Sequence, residues 1–399
     1  MDDSQLPPPR ALIVDDDATC ARAVAGMLLR LGTKDVQSAN GADEAMQRLD
    51  AAEFDIIFCD LNMPGRDGVE TLRLFAERHV KCPIVLVSGA DPKILKAAHE
   101  LGKSRGLGLA GTLHKPFGLD ELRRALAHVA KVASPRSRRP VPSVSVDELA
   151  RGIEREELVL HYQPQLNLHN CQLEAAEALV RWQHPERGML MPDAFISLAE
   201  SSGLIEPLTD WVLRDAIRQA AAWRKSGLDM GVSVNLSAKN LRQLDLPDRI
   251  AEATARAGIT PHRLTLEVTE SGVTDDLDSL LDITTRLRLK GFLLAIDDFG
   301  TGFSSLTQLR RLPFTELKLD RTFVSGACTD PDARSLLESS VNLAKRLQLK
   351  TVAEGIETEE EWNLLVWMGV DLGQGYYMAR PMPAEKILGW HAGWQSQVA

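Results

Sequence analysis

Seven short segments of the C-terminal half carry side chains suited to holding hard cations and driving a hydrolytic displacement. They are Glu177 in EALVR, Asn235 in VSVNLS, Glu267 in LTLEVTE, Asp297 and Asp298 in AIDDFGTGFSS, Lys318 in ELKLDRTF, Glu354 in VAEGIE and Gln374 in GQGYYMARP. Glu177, Asn235, Glu267 and Asp297 offer four hard-oxygen ligands, which favours Mg²⁺ or Mn²⁺ over zinc. Asp298 and Glu354 add carboxylates that one cation would satisfy poorly. Two cations about 3.5–4 Å apart would clamp an attacking water and a leaving oxygen for in-line displacement. Lys318, among so many carboxylates, should stay protonated, and it could share a proton with a water of lowered pKa. Arg181 presents a planar donor that suits a phosphate held bidentately.

A second set lies in the N-terminal half. Asp15 and Asp16 follow one apolar run, Asp60 follows another in FCDLNMPG, and Lys115 follows a third in LHKPF. Three gathered carboxylates repel one another unless a hard cation such as Mg²⁺ joins them. With that ion present, Asp60 could attack a phosphoryl donor as a carboxylate nucleophile. Lys115 would then neutralise the acyl phosphate, and Ser88 could hydrogen-bond one of its oxygens.

Both sets sit at the ends of short apolar runs, so strands must position them. Residues 10–132 alternate strand and amphipathic helix five times, with strands predicted at Ala11–Val14, Asp35–Ala39, Ile56–Cys59, Ile84–Val87 and Ala110–Leu113. Nearly continuous apolar strands predict an α/β fold with a doubly wound five-stranded parallel sheet covered on both faces. Ligands in such sheets bind outside the carboxyl ends of the strands. Residues 133–145, rich in proline, serine and arginine, read as a stiffened linker.

Residues 146–399 match a single (β/α)8 barrel in length. Predicted strands are Leu158–Gln163, Leu173–Leu179, Val232–Val234, Leu264–Glu267, Leu293–Ile296, Glu316–Leu319, Lys350–Ala353 and Leu372–Gly375, with helices such as Pro207–Lys225, Leu277–Lys290 and Ala333–Leu347. Only LNLHNC separates the first two, too short for a helical crossover of about a dozen residues. The barrel is therefore expected to be a modified one with an antiparallel first strand.

The chain has 399 residues and a net charge of −10, which argues against nonspecific DNA binding. No run approaches the roughly 18–20 apolar residues of a membrane span, and the acidic, proline-rich start does not resemble a secretory signal. The five cysteines, Cys20, Cys59, Cys82, Cys171 and Cys328, lack metal-type spacing and read as reduced core thiols of a cytoplasmic protein. Trp211, Trp223, Trp362 and Trp367 fall on helical faces and are expected to pack.

The acidic pair, D-x-N-M-P-G, the Ser88-Gly89-Ala90 turn and K-P-F resemble the response-regulator receiver domain, a flavodoxin-like fold. The resemblance implies Asp60 as phosphoacceptor, one Mg²⁺ near Asp15, Asp16 and Asn62, and a sensor histidine kinase or phosphotransfer protein as donor. It also gives Ser88 and Lys115 the switch roles. Three positions before Lys115, where the family often carries an aromatic residue, stands Thr112, which leaves the usual aromatic swing without its ring.

The C-terminal segments resemble the EAL phosphodiesterase family, which hydrolyses cyclic di-GMP to pGpG. The resemblance implies Glu177, Asn235, Glu267, Asp297 and Asp298 as ligands of two Mg²⁺ or Mn²⁺ ions, with Lys318, Glu354 and Asp298 in catalysis. Gln163, Leu179, Arg181, Asp320, Gln374, Arg380 and Pro381 look like substrate contacts. Phe299, Gly300, Thr301 and Gly302 belong to a stretch similar to the family's regulatory loop, steadied by Glu270. A homo-oligomer is implied as well. A catalytically silent cyclic di-GMP receptor is the rival reading, and relatives of that kind typically lose ligands that this chain keeps.

Overall fold

The computed structural model describes residues 10–89, 91–133, 144–269, 277–299 and 306–398. The chain divides into two compact units between residues 142 and 143.

In the first unit, β1 (Arg10–Val14), β2 (Asp35–Ala39), β3 (Ile56–Asp60), β4 (Ile84–Ser88) and β5 (Leu109–His114) form one parallel sheet in the order β2-β1-β3-β4-β5. Alternate residues feed two cores, because successive side chains of a strand point to opposite faces. Leu12, Val14, Ile57 and Cys59 join one cluster, and Ala11, Ile13, Ile56 and Phe58 join the other. Asp17 caps the helix Ala18–Arg30 by accepting from the Thr19 amide, and Asp67 caps Gly68–Glu77 through Glu70. These caps turn the chain sharply after β1 and β3, which leaves Asp15 and Asp60 at the carboxyl edge of the sheet.

The second unit opens with a helix, Val146–Glu154, started by a reciprocal capping box between Ser145 and Glu148. Among the described residues ten strands follow: β6 (Leu158–Asn167), β7 (Leu173–His184), β8 (Gly188–Leu190), β9 (Gly231–Leu236), β10 (Leu264–Thr269), β11 (Leu293–Phe299), β12 (Glu316–Leu319), β13 (Lys350–Ala353), β14 (Leu372–Gly373) and β15 (Met382–Pro383). Eight of them close a ring in the order β6-β14-β13-β12-β11-β10-β9-β7, and β7 returns to β6. Only β6 runs against the ring, pairing antiparallel with both neighbours, Tyr162 opposite Ala178 and Leu372 opposite Asn167. The expected antiparallel first strand is present. β8 and β15 are short strands that sequence pattern did not mark; they extend the sheet beside β7 and β6.

Strands β6 and β7 run several residues beyond their expected ends because each pairs along its whole length with the other. The helix expected at Pro207–Lys225 begins at Ile205. Two sequence expectations need correction. Of the cysteines only Cys59 is buried, and Cys328 is exposed rather than part of a core. Trp367 is 67% exposed beneath the Arg334 guanidinium, whereas Trp211 and Trp223 pack inside. The linker segment 134–143 lies outside the described residues.

The end of β14 packs against the segment after β13 so closely that only glycine fits. A Cβ on Gly375 would stand 2.1 Å from the Ile356 carbonyl oxygen and 2.2 Å from its amide nitrogen. Gln374 is thereby threaded beside Ala353, donating its backbone N–H to that carbonyl at 2.8 Å. Gly375→Ala should cost at least about 1–3 kcal/mol of stability, the usual scale of overpacking, read as a lower urea midpoint. Gly393→Ala, in the helix Ala384–Val398 with nothing within 4 Å of the new methyl, should be neutral or stabilise by up to about 1 kcal/mol. Equal midpoints for the two variants would contradict this packing.

Candidate active site

The register of the ring brings the polar residues together. Glu177 lies opposite Ser233, two residues before Asn235. Asn235 lies level with Glu267, and Asp297 lies opposite Thr269, two residues after Glu267. Steps of zero or two keep every side chain on one face of a pleated sheet. That face is the barrel interior at the carboxyl rim. Between β11 and β12 the pairing slips, from Ile296 opposite Leu317 to Phe299 opposite Leu319. At this bulge Asp298 takes a positive φ of 55°, an uncommon backbone for a residue with a Cβ. Bulges of this kind re-aim side chains beside functional sites.

At the centre stands the Lys318 ammonium, on a side chain only 1% exposed. It contacts Glu267 Oε2 at 2.5 Å, Glu354 Oε1 at 2.7 Å, Asp297 Oδ1 at 3.2 Å and Glu177 Oε2 at 3.6 Å. Asn235 Nδ2 donates to Glu177 Oε1 at 2.8 Å. Gln374 Nε2 donates to Glu177 Oε2 at 2.7 Å and to Glu354 Oε1 at 3.2 Å. Asp297 Oδ1 also accepts from the Asp298 amide at 2.9 Å.

One ammonium cannot neutralise this many acids, and the titration of the group reflects it. Burial pushes Glu267 well above the ordinary carboxylate range, with Lys318 opposing the rise. Burial likewise pushes Glu354 up to about 8 against the same ammonium. Burial and then Asp297 raise Asp298. Burial would also raise Glu177, but Lys318, Gln374 and Asn235 outweigh it and hold this carboxyl below its usual range. Burial would lower Lys318, yet Glu177, Glu267, Glu354 and Asp297 together hold its ammonium well above the usual lysine range. Carboxylates forced toward protonation at neutral pH mark a site short of positive charge. Oxygen donors with unmet negative charge fit hard divalent cations. The carboxylates are spread around the Lys318 ammonium rather than drawn to one point.

A cavity of about 680 Å³ opens beside them, lined by Leu179, Asn235, Asp297 and Asp298 together with Pro192, Ile196 and Leu208. Larger depressions over β5 of the first unit, about 830 Å³, and beside β6, about 790 Å³, contain none of these carboxylates. Arg181 is buried, and its guanidinium donates to the Val180 carbonyl at 2.8 Å. Gln163 Nε2 donates to the Ala379 carbonyl at 3.1 Å. Asp320 caps the short helix Arg321–Val324, accepting from the Thr322 amide at 2.8 Å. Arg380 lies over the Tyr376 ring at 4.2 Å, and Pro381 directly precedes β15. Phe299 ends β11, while Glu270, Gly300, Thr301 and Gly302 lie outside the described residues. Gln165 was not marked from sequence, although it donates to Gln374 Oε1 at 2.9 Å. Its one legible signal is that it follows Gln163 by two on the same strand, hence on the same face.

In the first unit Lys115 Nζ contacts Asp15 Oδ2 and Asp60 Oδ2, each at 2.7 Å. One oxygen each of Asp15, Asp16 and Asp60 lies within 4.8 Å of the others, a spacing that fits a cation. Asp60 Oδ1 accepts from the Asn62 amide at 3.1 Å. Burial would lower Lys115, but Asp15 and Asp60 hold it above the usual range. Ser88 ends β4, buried, and Thr112 is exposed on β5.

Against known proteins, the EAL domain model matches residues 146–381 and the response regulator receiver domain model matches residues 11–127. The chain is 33% identical over 364 residues to the cyclic di-GMP phosphodiesterase RocR of Pseudomonas aeruginosa, covering 90% of this chain and 92% of that one. It is 43% identical over 242 residues to the bifunctional diguanylate cyclase/cyclic di-GMP phosphodiesterase MucR of Pseudomonas aeruginosa, covering 60% of this chain. Only 35% of MucR is covered, so the chain spans about a third of that relative. A solved structure of the MucR phosphodiesterase in complex with c-di-GMP matches at a TM-score of 0.58 and 42% identity, covering 61% of this chain and 98% of that chain.

The raised carboxyls make stability pH-dependent. Glu354, at about 8 against an ordinary 4.5, contributes stability present below the lower value and lost as pH rises through the higher one. Glu267 and Asp298 share that sign, and Glu177 opposes it. Melting temperature in a chelating buffer should therefore fall between about pH 5 and about pH 8, with a shallower fall in Glu354→Gln. A slope unaltered by that substitution would remove Glu354 from this account.

Proposed function

The chain belongs to the EAL domain family and carries a response regulator receiver domain, and from this we propose that it is a cyclic di-GMP phosphodiesterase under receiver control. The observation that carries the reading is the buried Lys318 ammonium ringed by Glu177, Glu267, Asp297 and Glu354 beside an open cavity. Residues 10–132 form the receiver, 133–145 the linker and 146–399 the phosphodiesterase unit.

Glu177, Asn235, Glu267, Asp297 and Asp298 would hold two Mg²⁺ or Mn²⁺ ions. Bound there, such ions would supply positive charge against the phosphodiester and ease deprotonation of a water. Lys318 and Glu354, 2.7 Å apart, are placed to move the proton that this water gives up. Water adds to phosphorus, the P–O3′ bond breaks, and the freed 3′ oxygen takes a proton, leaving linear pGpG with a 5′-phosphate. Gln163, Leu179, Arg181, Asp320, Gln374, Arg380 and Pro381 orient the dinucleotide. Phe299, Gly300, Thr301 and Gly302 belong to the segment through which turnover is regulated, and Glu270 is the residue that steadies it.

In the receiver, Asp60 accepts a phosphoryl group from a sensor histidine kinase or phosphotransfer protein. Asp15, Asp16 and Asn62 would hold one Mg²⁺, and Lys115 and Ser88 receive the phosphoryl oxygens. Phosphorylation modulates turnover in the EAL domain. The protein acts in the cytoplasm as a homo-oligomer, with neither DNA nor a membrane among its partners. Among the described residues no helix is long and apolar enough to cross a membrane.

Glu177→Ala and Lys318→Ala should each slow cyclic di-GMP hydrolysis by about 10²-fold or more, the scale on which a group stabilising developing charge acts. Nucleotide binding, followed by calorimetry, should persist in at least one variant. Wild-type turnover in both variants would refute the assignment. For the receiver, acetyl phosphate should label the wild type and shift its turnover, and Asp60→Asn should show neither effect. Undiminished labelling of that variant would place the phosphoacceptor elsewhere.

A further inference from the structure

We propose that Gln165 is a positioning residue of this phosphodiesterase site, fixing the amide of Gln374 so that its nitrogen faces Glu177 and Glu354. The inference rests on the phosphodiesterase reading and adds a residue to it. Gln374 Nε2 lies 2.7 Å from Glu177 Oε2 and 3.2 Å from Glu354 Oε1. Glu177 already accepts the Asn235 amide N–H on its other oxygen, so it stands as an acceptor and the Gln374 amide must present its NH₂ to it. Flipped by half a turn, Gln374 would set a carbonyl oxygen against the Glu177 carboxylate in a site already crowded with acids.

What holds the productive orientation is a donor on the other side of the amide. Gln165 Nε2 supplies it, 2.9 Å from Gln374 Oε1. Both side chains belong to buried residues, 2% exposed for Gln165 and 4% for Gln374, so solvent is poorly placed to stand in. Gln163, two residues earlier on β6, is turned to the Ala379 carbonyl instead. The antiparallel course of β6 makes this placement possible. Gln165 lies opposite Ala175 and Gln163 opposite Glu177, so Gln165 enters the barrel one step deeper than the acidic rim and reaches Gln374 from below. A chain of amides thus runs from the barrel interior to two carboxylates around Lys318, and groups that orient such ligands commonly matter roughly 10- to 100-fold for activity or metal affinity.

The test is a double-mutant cycle in the full chain, with cyclic di-GMP hydrolysis measured in saturating Mn²⁺. Gln165→Leu should lower kcat roughly 10- to 100-fold, a larger change than any in KM, since Gln165 reaches the nucleotide only through Gln374. In a Gln374→Leu background the same substitution should have no further effect, because its route to the carboxylates is already cut. Gln165→Glu keeps the shape and loses the donor, so it should reproduce the loss if the leucine variant folds poorly. Equal losses in both backgrounds would reduce Gln165 to a packing residue and overturn the proposal. So would unchanged kinetics in an active wild-type background. A wild type that leaves cyclic di-GMP uncut would overturn the phosphodiesterase reading itself, and this inference with it.

Discussion

A single buried ammonium shared by Glu177, Glu267, Asp297 and Glu354 is the interaction on which the second unit turns. Ion groups of this kind are costly to bury, and removing one partner leaves the others uncompensated. Here the acids outnumber the lysine, so the imbalance is built into the fold. The raised carboxyls of Glu267, Glu354 and Asp298 are the physical expression of that imbalance. Divalent cations supplied from solution would relieve it, since oxygen donors with unmet negative charge suit hard ions.

The barrel wall exists to hold this arrangement in register. Parallel strands staggered by even steps send Glu177, Asn235, Glu267 and Asp297 inward. The bulge in β11 redirects Asp298, and the glycine contact behind Gln374 lets the last parallel strand close against β6. The receiver repeats the theme on a smaller scale, with Lys115 bridging Asp15 and Asp60 at the edge of a parallel sheet. In each unit a lysine at the end of a strand bridges acids presented by neighbouring strands.

Much of this was legible in the sequence because strand ends in parallel sheets carry a strong pattern. The five receiver strands and the eight ring strands were placed within a few residues, and the short LNLHNC connection disclosed the antiparallel β6. The acids and Lys318 stood out because they recur together, in order, at the ends of successive apolar runs; a single such acid is more often a helix cap. Other features left little trace. Gln165 is uncharged, and its role depends on a residue 209 positions away. The bulge at Asp298 and the short strands β8 and β15 arise from pairing across the barrel rather than from local pattern. Trp367 and Cys328 were misread because helical position and residue type alone do not say which face meets solvent.

The most direct test of the central claim is product analysis of the purified full chain with cyclic di-GMP, in Mg²⁺ or Mn²⁺ and again with a chelator. The account predicts conversion to a single linear dinucleotide bearing a 5′-phosphate in either ion, and no conversion once the ions are removed. Substrate left intact in both ions, or cleavage indifferent to chelation, would contradict it.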